Sequence, residues 1–91
     1  MAKLKSVLTE QQRYDLPYLG RLAEEWWREF CKPSYRNLAK KGPQAVLKFF
    51  EKLGMKATLE MAQLMQRGVA EDGALEIVSE YLYPRGEENL P

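Results

Sequence analysis

The side chains best suited to chemistry in this sequence are basic residues at helical spacing in its middle third. Lys48, Lys52 and Lys56 are four residues apart, as are Arg28 and Lys32, so on a helix each set lies along one side. Such rows of cations can bind nucleic-acid phosphates or an acidic protein, and neighbouring aromatic rings can stack on bases. We predict a partner-binding surface, called the basic set, with the members Trp27, Arg28, Lys32, Tyr35, Arg36, Lys48, Lys52 and Lys56.

Charge is distributed unevenly along the chain, although the net charge is only +1. Residues 1–27 sum to zero, residues 28–56 carry eight basic and two acidic groups, and residues 57–91 carry two basic and seven acidic groups. The basic middle can therefore meet an external anion. Alternatively, it can pair within the molecule with acids of the last helix such as Glu76 and Glu80.

The residue inventory excludes the common catalytic and metal-binding constellations. The chain has no histidine and a single cysteine, Cys31, which rules out zinc sites, Cys-His pairs and Ser-His-Asp triads. The six glycines stand singly, so no glycine-rich phosphate loop is present. We therefore predict no catalytic residue, no metal and no cofactor, and a protein that is not an enzyme.

Composition is that of an ordinary globular domain. Of the 91 residues, 45% are hydrophobic and 30% are charged, which is sufficient for one core and argues against disorder. A lone cysteine and the lack of an apolar run of signal-peptide or membrane-spanning length predict a cytoplasmic protein that does not enter the membrane.

The fold class follows from the way glycine and proline divide the chain into pieces of helical length. Almost nothing alternates with the period of two that strands require. The sequence therefore predicts an all-α, compact single domain of five or six short helices over residues 1–84, followed by a flexible polar tail over 85–91.

Caps and breakers predict the helix boundaries. Thr9 and Gln12 fit a capping box for a short first helix that ends before Pro17. Asp15 is predicted to cap a second helix that ends near Cys31. The remaining predicted helices are one after Pro33 ended by Gly42, one from Pro43 to Gly54, one from Ala57 ended by Gly68, and one capped by Asp72 and ended by Pro84.

Two adjacent tryptophans in the second helix cannot face the same core, because successive residues are about 100° apart. The apolar stripe on this helix contains Leu19, Leu22, Ala23, Trp26 and Phe30, which predicts a buried Trp26. Trp27 falls on the boundary, where it either covers the edge of the core or anchors a partner. The face opposite the stripe carries Arg21, Glu24, Glu25 and Arg28.

The last two helices have broad apolar faces. One comprises Met61, Leu64 and Met65 widened by Ala62, and the other comprises Ala74, Ile77, Val78 and Tyr81 widened by Leu75 and Leu82. A broad face on a short helix is either central in the fold or covered by another protein or a second copy. A homodimer is therefore among the assemblies the sequence allows.

These features favour a small non-enzymatic protein–protein interaction module, acting as an adaptor, accessory subunit or inhibitor of a larger protein. The alternative is a nucleic-acid-binding helical regulator that uses the basic segment 28–56. The usual helix-turn-helix pattern has a small residue at position five, glycine at nine and a branched aliphatic at fifteen. It fails whether Gly42, Gly54 or Gly68 is taken as the ninth residue.

Overall fold

The structure is a computed structural model that describes residues 3–84. This part of the chain folds into five α-helices. They are α1 (Glu10–Asp15), α2 (Tyr18–Phe30), α3 (Lys32–Ala39), α4 (Pro43–Gln66) and α5 (Glu71–Leu82). The predicted all-α single domain is confirmed, with five helices and no strand among the described residues. The predicted tail, residues 85–91, lies outside them. No helix in residues 3–84 combines the length and apolar character needed to cross a bilayer.

Capping sets the start of α1 as predicted, but not the starts of α2 and α5. The Thr9 hydroxyl accepts from the Gln12 amide at 3.1 Å, and the Gln12 side chain accepts from the Thr9 amide at 2.9 Å. The predictions of Asp15 and Asp72 as caps are wrong, since α2 and α5 begin after Pro17 and Ala70 without a side-chain cap. Asp72 instead lies inside the first turn of α5, where the helix dipole favours a negative charge.

The predicted helix end at Gly54 is also wrong, because α4 runs unbroken from Pro43 to Gln66. Gly54 lies where α2 crosses α4, and a β-carbon added there would lie 2.5 Å from the Gly20 nitrogen and 2.7 Å from its α-carbon. The glycine thus permits close contact between two helices. The turns on either side of α4 do contain glycine as predicted, with φ of 102° at Gly42 and 94° at Gly68, where other residues are strained.

The core lies between α4 and the other helices and is centred on aromatic rings. Trp27 makes edge contacts with Phe49 and Phe50 at centroid distances of 5.2 and 5.5 Å. On α4, Val46 and Phe50 are fully buried and Phe49 packs against the core. The buried hydrophobic residues within the described range are Leu8, Leu16, Ala23, Trp27, Cys31, Tyr35, Leu38, Val46, Phe50, Ala57, Ala74, Val78 and Leu82.

The buried face of α2 differs from the predicted stripe, because Trp27 rather than Trp26 is the fully buried tryptophan. Trp27 is 2% exposed, whereas Trp26 is half-buried and Phe30 is 55% exposed. Small residues explain the shift: Gly20 and Ala23 lie on the same side as Trp27 and allow α4 to approach closely. A helical wheel that gives most weight to large apolar side chains does not identify a buried face that contains glycine and alanine.

The face of α2 that was predicted to be polar is partly covered by the chain's own N-terminal segment, residues 3–8, while Glu25 on this face stays exposed. Glu24 is fully buried and Arg28 is 7% exposed. The Leu4 amide donates to the Arg28 carbonyl at 2.9 Å, and an Arg28 nitrogen donates to the Leu4 carbonyl at 3.3 Å. The segment therefore covers Glu24 and Arg28 and supplies a hydrogen-bond partner to each.

The broad apolar faces of the last two predicted helices are only partly used by the core. Ala74, Val78 and Leu82 are completely buried on α5, while Leu75 and Ile77 remain exposed. Exposed hydrophobic side chains on α4 include Met55, Leu59 and Met65. The apolar face of α5 is therefore buried only along the narrow stripe of Ala74, Val78 and Leu82.

Candidate functional site

The structure divides the basic set into a buried part and an exposed part. Trp27, Arg28 and Tyr35 are at most 7% exposed. The Trp27 indole donates to the Leu82 carbonyl at 3.1 Å, so neither this ring nor Tyr35 is available to stack on a base. These assignments to a partner surface are therefore wrong. Lys32 is half-buried, and the exposed members are Arg36, Lys48, Lys52 and Lys56.

The exposed lysines of α4 are not paired with the acids of α5. The ion pairs among residues 3–84 join Lys3 to Glu25 and Arg28 to Glu24, so internal pairing through Glu76 and Glu80 is not observed there. Lys56 instead lies over the Tyr81 ring, with its ammonium nitrogen 4.6 Å from the ring centre, a favourable cation–π arrangement.

Glu24 is the centre of a buried polar network rather than a surface acid. Its carboxylate accepts from Ser6 Oγ at 2.6 Å, Tyr35 Oη at 2.7 Å and Arg28 Nε at 3.0 Å. Burial, and secondly the hydrogen bond to Glu24, raises the pKa of Tyr35 to about 12. Because each group in this network has a partner, it joins the N-terminal segment to α2 and α3 as a structural element.

Trp26 is the centre of an aromatic cluster at the surface. Its ring lies 4.2 Å from that of Phe30 and 5.4 Å from that of Tyr83, measured between centroids. The Trp26 indole donates to the Pro84 carbonyl at 3.2 Å, which fixes the orientation of the ring. Burial raises the pKa of Tyr83, with a smaller contribution from Tyr18.

Two clefts flank this aromatic cluster, and acidic side chains line both. One, of about 540 Å³, is lined by Trp26, Glu76, Ser79, Glu80 and Tyr83, and the other, of about 360 Å³, by Leu22, Glu25, Trp26, Glu29, Phe30 and Tyr83. No lysine or arginine lines either cleft within the part of the chain that is described. We define the acidic aromatic groove as Trp26, Phe30 and Tyr83 together with Glu25, Glu29, Glu76 and Glu80.

Most of the groove's negative charge has no ion-pair partner within the described part of the chain. Glu25 pairs with Lys3, and the hydrogen bond between them lowers the pKa of the Glu25 carboxyl. Glu29, Glu76 and Glu80 form no ion pair with any residue in the range 3–84. An aromatic surface bordered by carboxylates attracts ammonium and guanidinium groups both electrostatically and through the ring faces.

The ring geometry restricts what can bind. Rings that enclose a quaternary ammonium group must stand apart around it, whereas Phe30 and Tyr83 both contact the Trp26 ring, at centroid distances of 4.2 and 5.4 Å. A cation can therefore lie across the cluster but not inside it. No cluster of three or more potential metal ligands occurs among residues 3–84, and no lining residue suggests a cofactor.

Sequence reasoning missed this groove because it assigned Trp26 to the core. One signal was present: Glu25 and Glu29 are four residues apart on α2, as are Glu76 and Glu80 on α5. Like charges at this spacing repel by a few tenths of a kcal/mol on a helix. The four-residue spacing that indicates a charged face for the lysines of α4 indicates one for these glutamates as well.

Comparison with known proteins provides no relative. No protein-family model matches the chain, and no curated protein or solved structure is significantly similar to it. Functional proposals therefore depend on the geometry of the side chains.

Proposed function

We propose that this protein is a non-enzymatic protein–protein interaction module that binds a positively charged segment of a larger protein in the acidic aromatic groove. The carrying observation is the aromatic cluster at the surface, which is bordered by four glutamates and has no basic residue among its lining residues in the range 3–84. In this role the protein acts as an adaptor, accessory subunit or inhibitor and needs no chemistry of its own.

The two components of the groove have different effects on binding. Trp26 supplies a rigid aromatic surface of the type found at binding hot spots, and a cation over such a ring contributes about 0.5–1 kcal/mol at an exposed site. The unpaired carboxylates accelerate association with a basic segment and make affinity depend on salt. A partner that uses both components must carry lysine or arginine beside apolar side chains.

A direct test uses the fluorescence of Trp26 in a Trp27→Phe background, titrated with a peptide that alternates lysine and leucine. We expect saturable binding that Glu76→Gln with Glu80→Gln weakens about tenfold, since charge-assisted contacts contribute about 1.5 kcal/mol or more. Trp26→Phe, read in the wild-type background by calorimetry, should also weaken binding. Glu51→Gln is the matched control, because Glu51 is exposed on α4 and outside the groove.

The controls separate a specific groove from general charge attraction. Equal losses per charge removed for Glu51→Gln and for the groove variant would show that only net charge matters and would refute the proposal. A glutamate–leucine peptide of the same length should not bind, and binding by it would refute the role of the carboxylates. Far-UV circular dichroism of each variant establishes that the helices are retained.

A nucleic-acid-binding regulator is the second candidate. It is favoured by Arg36, Lys48 and Lys52, which are exposed and have no ion pair within residues 3–84. Fluorescence anisotropy with labelled duplex and single-stranded oligonucleotides tests it at low and physiological salt. Replacing both lysines by glutamine should reduce the log-log salt slope by roughly 2, and absence of binding at low salt would exclude this candidate.

A further inference from the structure

A third cleft, separate in function from the groove, lies where the N-terminal segment and α1 meet α2. Its volume is about 320 Å³, and its lining residues are Lys3, Glu10, Arg13, Tyr14, Arg21, Glu24, Glu25 and Arg28. The proposed interaction module does not use this cleft, apart from Glu25, which lines both regions. A cleft with so many charged side chains must have its charges balanced.

Two of the four cations in this cleft are balanced by neighbouring carboxylates. Lys3 pairs with Glu25, and Arg28 pairs with the buried Glu24. Arg13 and Arg21 form no ion pair with any residue in the described range. The remaining acid, Glu10, is exposed in the first turn of α1. Arg13 helps to lower the pKa of Glu25 from a longer distance, but neither Arg13 nor Arg21 has a carboxylate of residues 3–84 at ion-pair distance.

Both guanidinium groups also have an N–H that lacks an acceptor. The Nε atoms of Arg13 and Arg21 are shielded from solvent and have no hydrogen-bond partner among residues 3–84, while each side chain as a whole is only partly buried. Arg21 lies over the Tyr14 ring at 5.3 Å, but a ring face does not replace an oxygen acceptor for Nε. More than nine in ten buried polar groups in proteins are hydrogen-bonded, so two such donors in one cleft indicate an acceptor that binds there.

We infer that this cleft binds a phosphate group, with Arg13 and Arg21 as its ligands. Nε and one terminal nitrogen of a guanidinium present two parallel donors that match two oxygens of an oxyanion. Two guanidinium groups thus present four donors, which a phosphate with three terminal oxygens accommodates better than a carboxylate with two. A phosphate charge of about −1.5 to −2 also matches the two arginines.

The volume of the cleft leaves room beside the phosphate for an organic group. Free phosphate and a phosphomonoester share the chemistry that the arginines recognise, so both serve as probes. Phosphoserine represents the phosphomonoester, and sodium chloride at equal ionic strength controls for screening.

The test follows the Nε–H signals of Arg13 and Arg21 by ¹H–¹⁵N NMR of the full chain during titration with inorganic phosphate and with phosphoserine. We expect saturable shifts of both signals that chloride does not produce. Tighter binding of phosphoserine would identify a phosphomonoester as the ligand class, whereas equal or tighter binding of inorganic phosphate would identify the free anion.

Variants connect the binding to these two residues. Arg21→Gln should weaken phosphate binding about tenfold, and Arg21→Lys should not restore it, because lysine lacks the paired donors. Arg67→Gln, at the exposed end of α4 and outside the cleft, should bind like the wild type. Shifts that do not saturate would overturn the inference. So would phosphate-induced shifts of the backbone amides of α1 and α2 that persist unchanged in an Arg13→Gln, Arg21→Gln double variant with native circular dichroism.

Discussion

Replacing Gly54 by alanine separates the effect of helix propensity from that of helix packing. In the interior of a helix, alanine is favoured over glycine by about 1 kcal/mol, so α4 considered alone predicts a more stable protein. At the crossing with α2, however, the added methyl group would lie 2.5 Å from the Gly20 nitrogen and 3.2 Å from the Pro17 β-carbon. The two effects have opposite signs, and the second involves backbone that cannot rotate away.

The magnitude follows from the distances. An ordinary contact of this kind begins at 3.4 Å, so the helices must separate locally by about 1 Å, which loosens the packing around Trp27 and Phe50. Overpacking of this type costs about 3 kcal/mol at the upper end of its usual range. Subtracting about 1 kcal/mol for helix propensity leaves a net loss of about 2 kcal/mol.

Thermal unfolding monitored by circular dichroism measures this loss. For a domain of this size, about 2 kcal/mol corresponds to a decrease in Tm of roughly 10 °C. Gly73→Ala is the matched control, because a methyl group on Gly73 in α5 would meet only the movable Val69 side chain, at 3.3 Å, and should leave Tm unchanged or raise it. An unchanged or increased Tm for Gly54→Ala would refute the close crossing of α2 and α4.

Two further predictions concern residues of the core. Trp27→Ala should lower the free energy of unfolding, measured in guanidinium, by about 4 kcal/mol. Trp26→Ala should lower it by less than half of that, because only the Trp27 ring is fully buried. Equal losses would contradict the burial of Trp27 rather than Trp26. The pKa of Tyr35 is raised from its ordinary value of 10.0 to about 12, so its contribution to stability is present below pH 10 and is lost as the pH rises towards 12. In urea titrations between pH 10 and 12, Tyr35→Phe should therefore lose less free energy of unfolding than the wild type. Tyr81 titrates in the same interval in both proteins. Identical losses would show that Tyr35 is not the group responsible.

The candidate sites were only partly predictable, because pairing depends on which elements meet. The spacing of lysines on α4 correctly identified Lys48 and Lys52 as exposed cations. It could not reveal that Arg28 is buried against Glu24, since the N-terminal segment that covers them is distant in sequence. The unpaired donors of Arg13 and Arg21 likewise depend on how α1 folds back against α2.

The sequence by itself determined the helical fold class, the capping box at Thr9 and the turns at Gly42 and Gly68. These features depend on a few neighbouring residues, whose backbone preferences and local hydrogen bonds act without the rest of the chain.

Only the tertiary structure decided that Gly54 continues a helix and that Trp27 rather than Trp26 is buried. The reason is that the α2–α4 crossing selects the face with the smallest side chains, Gly20 and Ala23, to bring two backbones together. Trp26 is left at the surface beside glutamates from both α2 and α5, a juxtaposition that neither helix specifies alone.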